Sequence, residues 1–180
     1  SKSVGILLGI SSQINQVSTV SAHAEGCTTI IVGAKATVDG SAIVTHSNDG
    51  PAGDFRIAYV PAKDHAPGTM RPIFRAEGIW MMYPRSTDSE RSATYGPVIG
   101  AAHDQEIIGH IPQVQHTFAL WESVYGLMNE HGLALGESTC SGKLVGVGKP
   151  YGGSALLTVA NLMALALERC KTAMCAVETM

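Results

Sequence analysis

The sequence predicts an α+β fold, and two observations carry this prediction. Short β-branched and apolar segments, separated by turn residues, fill the chain from Thr28 to Ser138, which is the pattern of strands joined by tight turns. From Ser154 the apolar residues change to helical spacing. Because the strands come first and the helix follows them, a parallel alternation of strands and helices is not predicted. A sheet covered by helix is the architecture that this order favours.

Two segments have the pattern of a β-hairpin. The first covers residues 28–46, where a β-branched run reaches the turn 38–40 and a second apolar run follows. The second covers residues 125–138, around the turn sequence Asn-Glu-His-Gly. Between the two hairpins, a further strand is predicted over 53–60, and loops with short strands are predicted over 61–97.

One continuous helix is predicted at the end of the sequence. Its apolar spacing begins near Ser154, and no Gly or Pro that would end it occurs before Met180. On such a helix Cys170 and Cys175 would point to different faces, so a disulfide between them is not expected. Because a domain seldom ends inside an uncapped helix, we expect the sequence to be the N-terminal part of a longer domain.

Composition excludes several classes of protein. The 180 residues are 45 % hydrophobic and 15 % charged, which predicts a folded chain with a real core. A net charge of −3 and scattered Lys and Arg residues indicate no nucleic-acid or anionic membrane partner. No run reaches the ~18 apolar residues of a membrane span. The cysteines form no C-x-x-C pair, and His110 and His116 lack ligand spacing, so neither a metal nor a cofactor is predicted.

Residues 1–26 have the features of a signal or pro-segment. Lys2 precedes the short apolar run 4–10, and Ala22-His23-Ala24 resembles a signal peptidase site. An ordinary N-terminal strand or helix is the alternative. A signal peptide would place the protein outside the cell or in a lysosome or vacuole, and without one the protein would be cytoplasmic.

Cys27 and Asp49 stand at the two ends of the first predicted hairpin. Such ends lie side by side, so the two residues are expected to be neighbours. A free thiol titrates at about pH 8.5 and needs a base to attack near neutrality. Cleavage of the bond before Cys27 would supply one, because the new α-amine has a pKa of ~7.7–8.0. In the alternative interpretation, Cys27 is a packing residue and Asp49 is a turn residue.

Four segments carry a resemblance to a known family. Residues 26–50 (GCTTIIVGAKATVDGSAIVTHSNDG), 109–117, 125–140 and 165–173 occur in the right order. They resemble the dipeptidase/secernin family of cysteine N-terminal-nucleophile hydrolases, which is related to penicillin V acylases and bile salt hydrolases. The resemblance spans about residues 26–180.

The resemblance implies an αββα sandwich, of which residues 27–180 would be the N-terminal part. It also implies self-processing that exposes Cys27 as the nucleophile, with Asp49 beside it, and hydrolysis of amide bonds in dipeptides. The oxyanion Asn of the related acylases falls near Ser138 or Thr139 in this sequence. Glu137, Ser138 and Thr139 are therefore candidates for oxyanion or substrate contacts, and in the alternative interpretation they only end a strand. His46 stands where related acylases have an arginine, so the family pattern leaves its role open.

The resemblance also defines the partners and the alternatives. A dipeptide is the expected substrate, and a homo-oligomer is compatible with the sequence. One alternative function is hydrolysis of a non-peptide linear amide, as in the acylases, and another is a non-catalytic secernin-like role in protein interactions. Cys140, Cys170 and Cys175 are expected to be packing residues, with a disulfide from Cys140 open if the protein is exported.

Overall fold

The computed structural model describes residues 27–47, 57–74, 107–123, 125–138 and 146–180. These segments form a mixed α+β structure with small antiparallel sheets, as the sequence predicts. The predicted signal or pro-segment, residues 1–26, lies outside the described residues. The strands are β1 (Thr29–Val32), β2 (Ile43–His46), β3 (Ala58–Val60), β4 (Lys63–Asp64), β5 (Met70–Phe74), β6 (Ile107–Pro112), β7 (His116–Thr117), β8 (Leu120–Glu122) and β9 (Gly126–Asn129), and the helices are α1 (Val159–Arg169) and α2 (Ala173–Thr179).

The first predicted hairpin is confirmed. Strands β1 and β2 pair antiparallel, with Thr29 opposite His46 at the open end. At the closed end Asp39 accepts a hydrogen bond from the Ser41 amide at 3.0 Å. Hydrogen bonds from the Ser41 side chain and from this amide lower the pKa of the Asp39 carboxyl. Gly40 has a φ of 77°, which only glycine adopts without strain. Asp39 and Gly40 therefore shape the connection 33–42, which joins Val32 to its partner Ile43.

The other strands form three small antiparallel sheets. Their orders are β3-β8-β9, β4-β7 and β5-β6. The strand predicted over 53–60 is confirmed at Ala58–Val60, and residues 53–56 lie outside the described residues. The short strands predicted within 61–97 are confirmed by β4 and β5, and residues 75–97 also lie outside the described residues.

The second predicted hairpin is only partly confirmed. Its turn is present, because Gly132 has a φ of 77° and its amide donates to the Asn129 carbonyl at 3.0 Å. The full strand partner of β9 is β8, which precedes it in the chain. The return arm beyond Gly132 is held by a bridge between Met128 and Ala134 and by the Leu135 amide, which donates to Leu127 at 3.0 Å. Residues 136–138 then leave β9.

The prediction of one continuous C-terminal helix is wrong. Helix α1 ends at Arg169, and Cys170 and Thr172 have extended backbone angles, with ψ of 142° and 155°. The Thr172 hydroxyl then accepts a hydrogen bond from the Cys175 amide at 3.3 Å and caps α2. The sequence therefore forms two helices where its periodicity predicts one.

The expectation that Cys170 and Cys175 do not pair is also wrong, because the two residues form a disulfide. Their Cα atoms are 5.5 Å apart. The expectation assumed that both residues belong to one helix, in which residues five apart point to different faces. The extended segment between α1 and α2 removes that restriction and lets the second helix bring Cys175 back to Cys170.

The main hydrophobic core lies between α1 and the β8-β9 hairpin, and Asn129 joins the two. The Asn129 side chain is 1 % exposed, and its amide group donates to the carbonyls of Leu167 at 2.9 Å and Cys170 at 2.7 Å. Its oxygen accepts from the amides of His131 and Leu133, both at 3.1 Å. One buried side chain thus satisfies the end of α1 and the β9 turn together. The core cluster consists of Val60, Leu120, Leu133, Ala166, Leu167, Cys170 and Ala176.

A buried ion pair fixes α1 to β5. The Arg71 guanidinium contacts the Glu168 carboxylate at 2.8 and 3.2 Å, and the two side chains are 4 % and 1 % exposed. The next residue, Arg169, donates to the Pro112 carbonyl on β6 at 3.0 Å, and burial lowers its pKa. Removing one partner of a pair at this depth would take the main compensation away from the other buried charge, which costs several kcal/mol. The helix therefore has a fixed position over the β5-β6 sheet.

Candidate active site

Cys27 lies at the open end of the β1-β2 hairpin. The pairing continues beyond the two strands, because the Ser47 amide donates to the Thr28 carbonyl at 2.9 Å and the Thr28 amide donates to the Ser47 hydroxyl at 3.0 Å. Cys27 directly precedes this pair, so the predicted side-by-side arrangement of the hairpin ends holds as far as Ser47. Asp49 is two residues further along and lies outside the described residues.

Cys27 shares one face of the hairpin with two other residues. It is a free thiol and is partly buried. Residues two apart in an extended chain face the same side, so Cys27 shares a face with Thr29. Directly paired residues of an antiparallel ladder also share a face, which adds His46, the partner of Thr29. The face of the hairpin that carries these three residues is therefore the candidate reaction surface.

The segment 137–138 contacts this face directly. The Thr29 hydroxyl donates to the Glu137 carbonyl at 2.8 Å, and the hydroxyls of Thr29 and Ser138 are 2.8 Å apart. Glu137 is 6 % exposed, whereas Ser138 is exposed. The structure thus brings two of the predicted site residues to the strand that follows Cys27. Thr139 lies outside the described residues.

His46 contacts the backbone of the same segment. Its Nδ1 atom lies 3.2 Å from the Glu137 carbonyl oxygen and 3.4 Å from the Glu137 amide nitrogen. The tautomer decides which contact is the hydrogen bond, because one Nδ1 atom cannot both donate and accept. The ring also packs against Tyr125, with 5.9 Å between the ring centroids. These contacts make His46 a support for the segment 137–138.

Gly136 allows this segment to approach the hairpin. A Cβ atom added there would lie 2.8 Å from Thr29 Cγ2 and 3.0 Å from Val44 Cγ1. Both neighbours are β-branched and stiff about χ1, so they have little freedom to move away. Sequence reasoning gave Gly136 no role. The signal that could have shown one is a lone glycine directly before two predicted site residues.

We expect Gly136→Ala to lower kcat/KM by at least about 10-fold, because the clash pushes residues 137–138 away from Thr29 and small misplacements in a site are costly. The matched control is Gly33→Ala. Gly33 has an ordinary φ of −76°, and an added Cβ would meet no atom within 4 Å. Both variants are assayed after circular dichroism has shown that they are folded. Equal activity of the two variants would contradict a positioning role for Gly136.

A cavity of about 490 Å³ lies beside this surface. Its walls include the polar residues His46, Ser123 and Tyr125 and the apolar residues Val44 and Leu135. This volume is in the range of small-molecule sites, and a mainly apolar lining with few polar groups is typical of them. The cavity can therefore receive a side chain or an acyl group of a molecule bound at the hairpin face.

The described segments contain neither a candidate metal site nor a candidate membrane-spanning helix. Within the described segments, no three or more His, Cys, Asp or Glu side chains are grouped so that they could hold a metal ion. In the same segments, neither helix has the length and apolar character that crossing a membrane requires.

Comparison with known proteins gives one match. The model of peptidase family C69 matches residues 26–180, which include Cys27 and all four segments that carry the resemblance. No curated protein and no solved structure matches the chain.

Proposed function

The chain belongs to peptidase family C69, and from this membership we propose that it is a cysteine-dependent dipeptidase with Cys27 as its nucleophile. Membership implies a cysteine-type peptidase, a peptide substrate and an N-terminal-nucleophile fold. The restriction to dipeptides and the roles of single residues belong to the proposal.

The position of Cys27 carries the proposal. Within the described residues it is the cysteine with a free thiol, and it lies at the open end of the hairpin. The face that it shares with Thr29 is contacted by the segment 137–138. A nucleophile at the start of a strand, beside a second segment that can present hydrogen-bond donors, is the arrangement that acyl transfer requires.

The proposed reaction begins after residues 1–26 have been removed. The α-amine of Cys27 accepts the thiol proton, and the sulfur attacks the scissile carbonyl of the dipeptide. Asp49 orients the amine, and backbone N–H groups of the segment 138–139 stabilise the oxyanion. Collapse of the tetrahedral intermediate breaks the peptide bond, and the leaving amine takes up the proton. Water then hydrolyses the thioester, which releases the N-terminal amino acid of the dipeptide and restores the thiol.

The proposal includes export of the protein. A charged residue, an apolar run and a small-residue site within 1–26 have the order of a secretory signal. The disulfide between Cys170 and Cys175 supports an oxidising compartment, because such bonds are rare where glutathione keeps thiols reduced. A secreted or a lysosomal/vacuolar protein fits both observations.

Maturation tests the proposed mechanism. Because the base exists only after the Gly26–Cys27 bond has been broken, we expect N-terminal sequencing of active protein to begin at Cys27 and read Cys-Thr-Thr-Ile. Intact mass and dipeptide turnover are measured on the same preparation. Fully active enzyme that begins at Glu25 would refute the α-amine as base. Processed protein that hydrolyses no dipeptide would contradict the proposed substrate instead.

One observation favours a second candidate, an acylase-type hydrolase of non-peptide amides. The cavity beside His46 has apolar walls that include Val44 and Leu135, and an acyl chain would fit its volume of about 490 Å³. The nucleophile and base would be the same. Turnover of N-acyl amino acids compared with free dipeptides distinguishes the two functions.

A further inference from the structure

Three oxygen atoms beside β1, the strand that follows Cys27, form a hydrogen-bond network. Only one assignment of hydroxyl protons satisfies both of its contacts. The Thr29 hydroxyl lies 2.8 Å from the Glu137 carbonyl oxygen and 2.8 Å from the Ser138 hydroxyl. A carbonyl oxygen only accepts, so the first contact requires Thr29 to donate. A threonine has one hydroxyl proton. The second contact therefore requires Ser138 to donate to Thr29.

This assignment fixes what the Ser138 hydroxyl can do for a substrate. Its single proton is used within the protein, so the hydroxyl does not donate to an oxyanion. Its oxygen keeps a free lone pair and can accept a hydrogen bond. Ser138 is exposed, so a bound molecule can reach that oxygen. The side chain therefore suits a substrate group that carries a proton.

A dipeptide has such a group close to its reacting atom. The α-nitrogen is separated from the scissile carbonyl carbon by only one Cα atom, a distance of about 2.5 Å. With a pKa of ~7.7–8.0 this amine is mainly an ammonium group near neutral pH. When the carbonyl carbon is ~3 Å from the Cys27 sulfur, the ammonium falls within several Å of the same sulfur.

The spacing along the strand agrees with this placement. Cys27 and Thr29 are two residues apart on one face, which corresponds to about 7 Å in an extended chain. An ammonium between the sulfur and the Ser138 oxygen needs ~3 Å for its hydrogen bond. The attack distance, the step to the nitrogen and this hydrogen bond add up to at most about 8.5 Å. That reach is comparable with the Cα spacing from Cys27 to Thr29, the residue whose hydroxyl lies 2.8 Å from the Ser138 hydroxyl.

We propose that the Ser138 hydroxyl accepts a hydrogen bond from the α-ammonium group of a dipeptide, and that Thr29 is the positioning residue that holds Ser138 in this acceptor state. This inference rests on the proposed dipeptidase function and adds a specificity to it. The site selects peptides with a free N-terminal amine over N-acylated ones. The oxyanion is left to backbone N–H groups.

The first test compares Ala-Ala with N-acetyl-Ala-Ala in the mature full-length enzyme. Ser138→Ala should lower kcat/KM for the free dipeptide about 10-fold, through KM, because a hydrogen bond to a charged group is lost in ground and transition states alike. The value for the acetylated peptide should not change; if its turnover is too slow, its inhibition constant is measured. Ser41→Ala, at the closed end of the hairpin, is the control.

The outcomes separate this inference from the proposed function. A wild-type enzyme that hydrolyses neither peptide contradicts the dipeptidase function. The wild-type enzyme can instead be active while Ser138→Ala lowers kcat/KM equally for both peptides through a fall in kcat. That result assigns Ser138 to oxyanion support and overturns the inference. No change on either peptide also overturns it.

The second test addresses Thr29. Thr29→Val keeps the shape of the side chain but removes the acceptor of the Ser138 proton, so the preference for the free amine should fall as it does in Ser138→Ala. Thr29→Ser retains the hydroxyl and should restore the preference. Thr29→Val loses only the hydroxyl, whereas Thr29→Ser loses only the methyl group. A loss of preference in Thr29→Ser as large as in Thr29→Val would therefore contradict the role of the hydroxyl.

Discussion

Replacing Cys27 with alanine is expected to abolish peptide hydrolysis, with kcat/KM lowered by about 10⁴-fold or more, because no other atom of the proposed site can form the thioester. The variant should be produced with its N-terminus already at residue 27. Otherwise a failure to mature would also remove activity, and the two effects could not be separated. The α-amine is then present in both proteins, and only the thiol differs.

Cys140→Ala is the matched control for this experiment. Cys140 lies outside the described residues, and the proposed mechanism gives it no role. We expect this variant to retain most of its activity on the same panel of dipeptides. Activity of the Cys27 variant comparable with wild type would contradict the assignment of the nucleophile.

The second large effect is expected for Asp49→Asn. If Asp49 orients the α-amine of Cys27, its loss should lower the rate by two or more orders of magnitude, since positioned acid–base groups contribute ~10²–10⁴-fold. The fold should survive, because Asn is tolerated in turns as well as Asp. Turnover and circular dichroism are measured together on the variant.

Asp39→Asn is the control, because Asp39 is an aspartate in the connection between β1 and β2. It lies at the closed end, where its carboxylate accepts from the Ser41 amide. A normal rate in Asp49→Asn, or a loss that accompanies unfolding, would return Asp49 to the role of a turn residue.

The β1-β2 hairpin could be predicted because all its determinants are local. The β-branched and apolar runs 29–32 and 43–46 specify the two strands, and the turn residues Asp39 and Gly40 lie in the short connection between them. The family resemblance depends on the same local segments, and the family match confirms it. The features that could be predicted correctly are therefore those that residues close together in the sequence determine.

The end of α1 could not be predicted, because distant groups determine it. Lys171 and Thr172 are ordinary helix-compatible residues, so the periodicity shows no break. In the structure the Cys170 carbonyl accepts from Asn129, 41 residues away, and the Cys170 sulfur is bonded to Cys175. These contacts hold Cys170 in its extended conformation, outside the helix.

The candidate site also has a part that could be predicted from local sequence and a part that could not. The pairing of Thr28 with Ser47 follows from the hairpin and could be expected. The contact of Thr29 with Glu137 joins residues 108 positions apart, and no spacing rule links them. Gly136 matters only because that contact exists, so its role depends on the tertiary structure.

The Cys170–Cys175 disulfide has a practical consequence for enzymology on this protein. A reducing agent that keeps the proposed nucleophile Cys27 in its thiol form in an assay buffer also reduces this bond, whose Cys175 end is partly exposed. Reduction would remove the covalent link between α2 and the end of α1, where Asn129 is anchored, and leave α2 held by non-covalent packing. A strong dithiol such as dithiothreitol is therefore expected to raise activity by reducing Cys27 and to lower the melting temperature by reducing the Cys170–Cys175 disulfide. Titrating the reductant while melting temperature and turnover are recorded in parallel distinguishes these two effects.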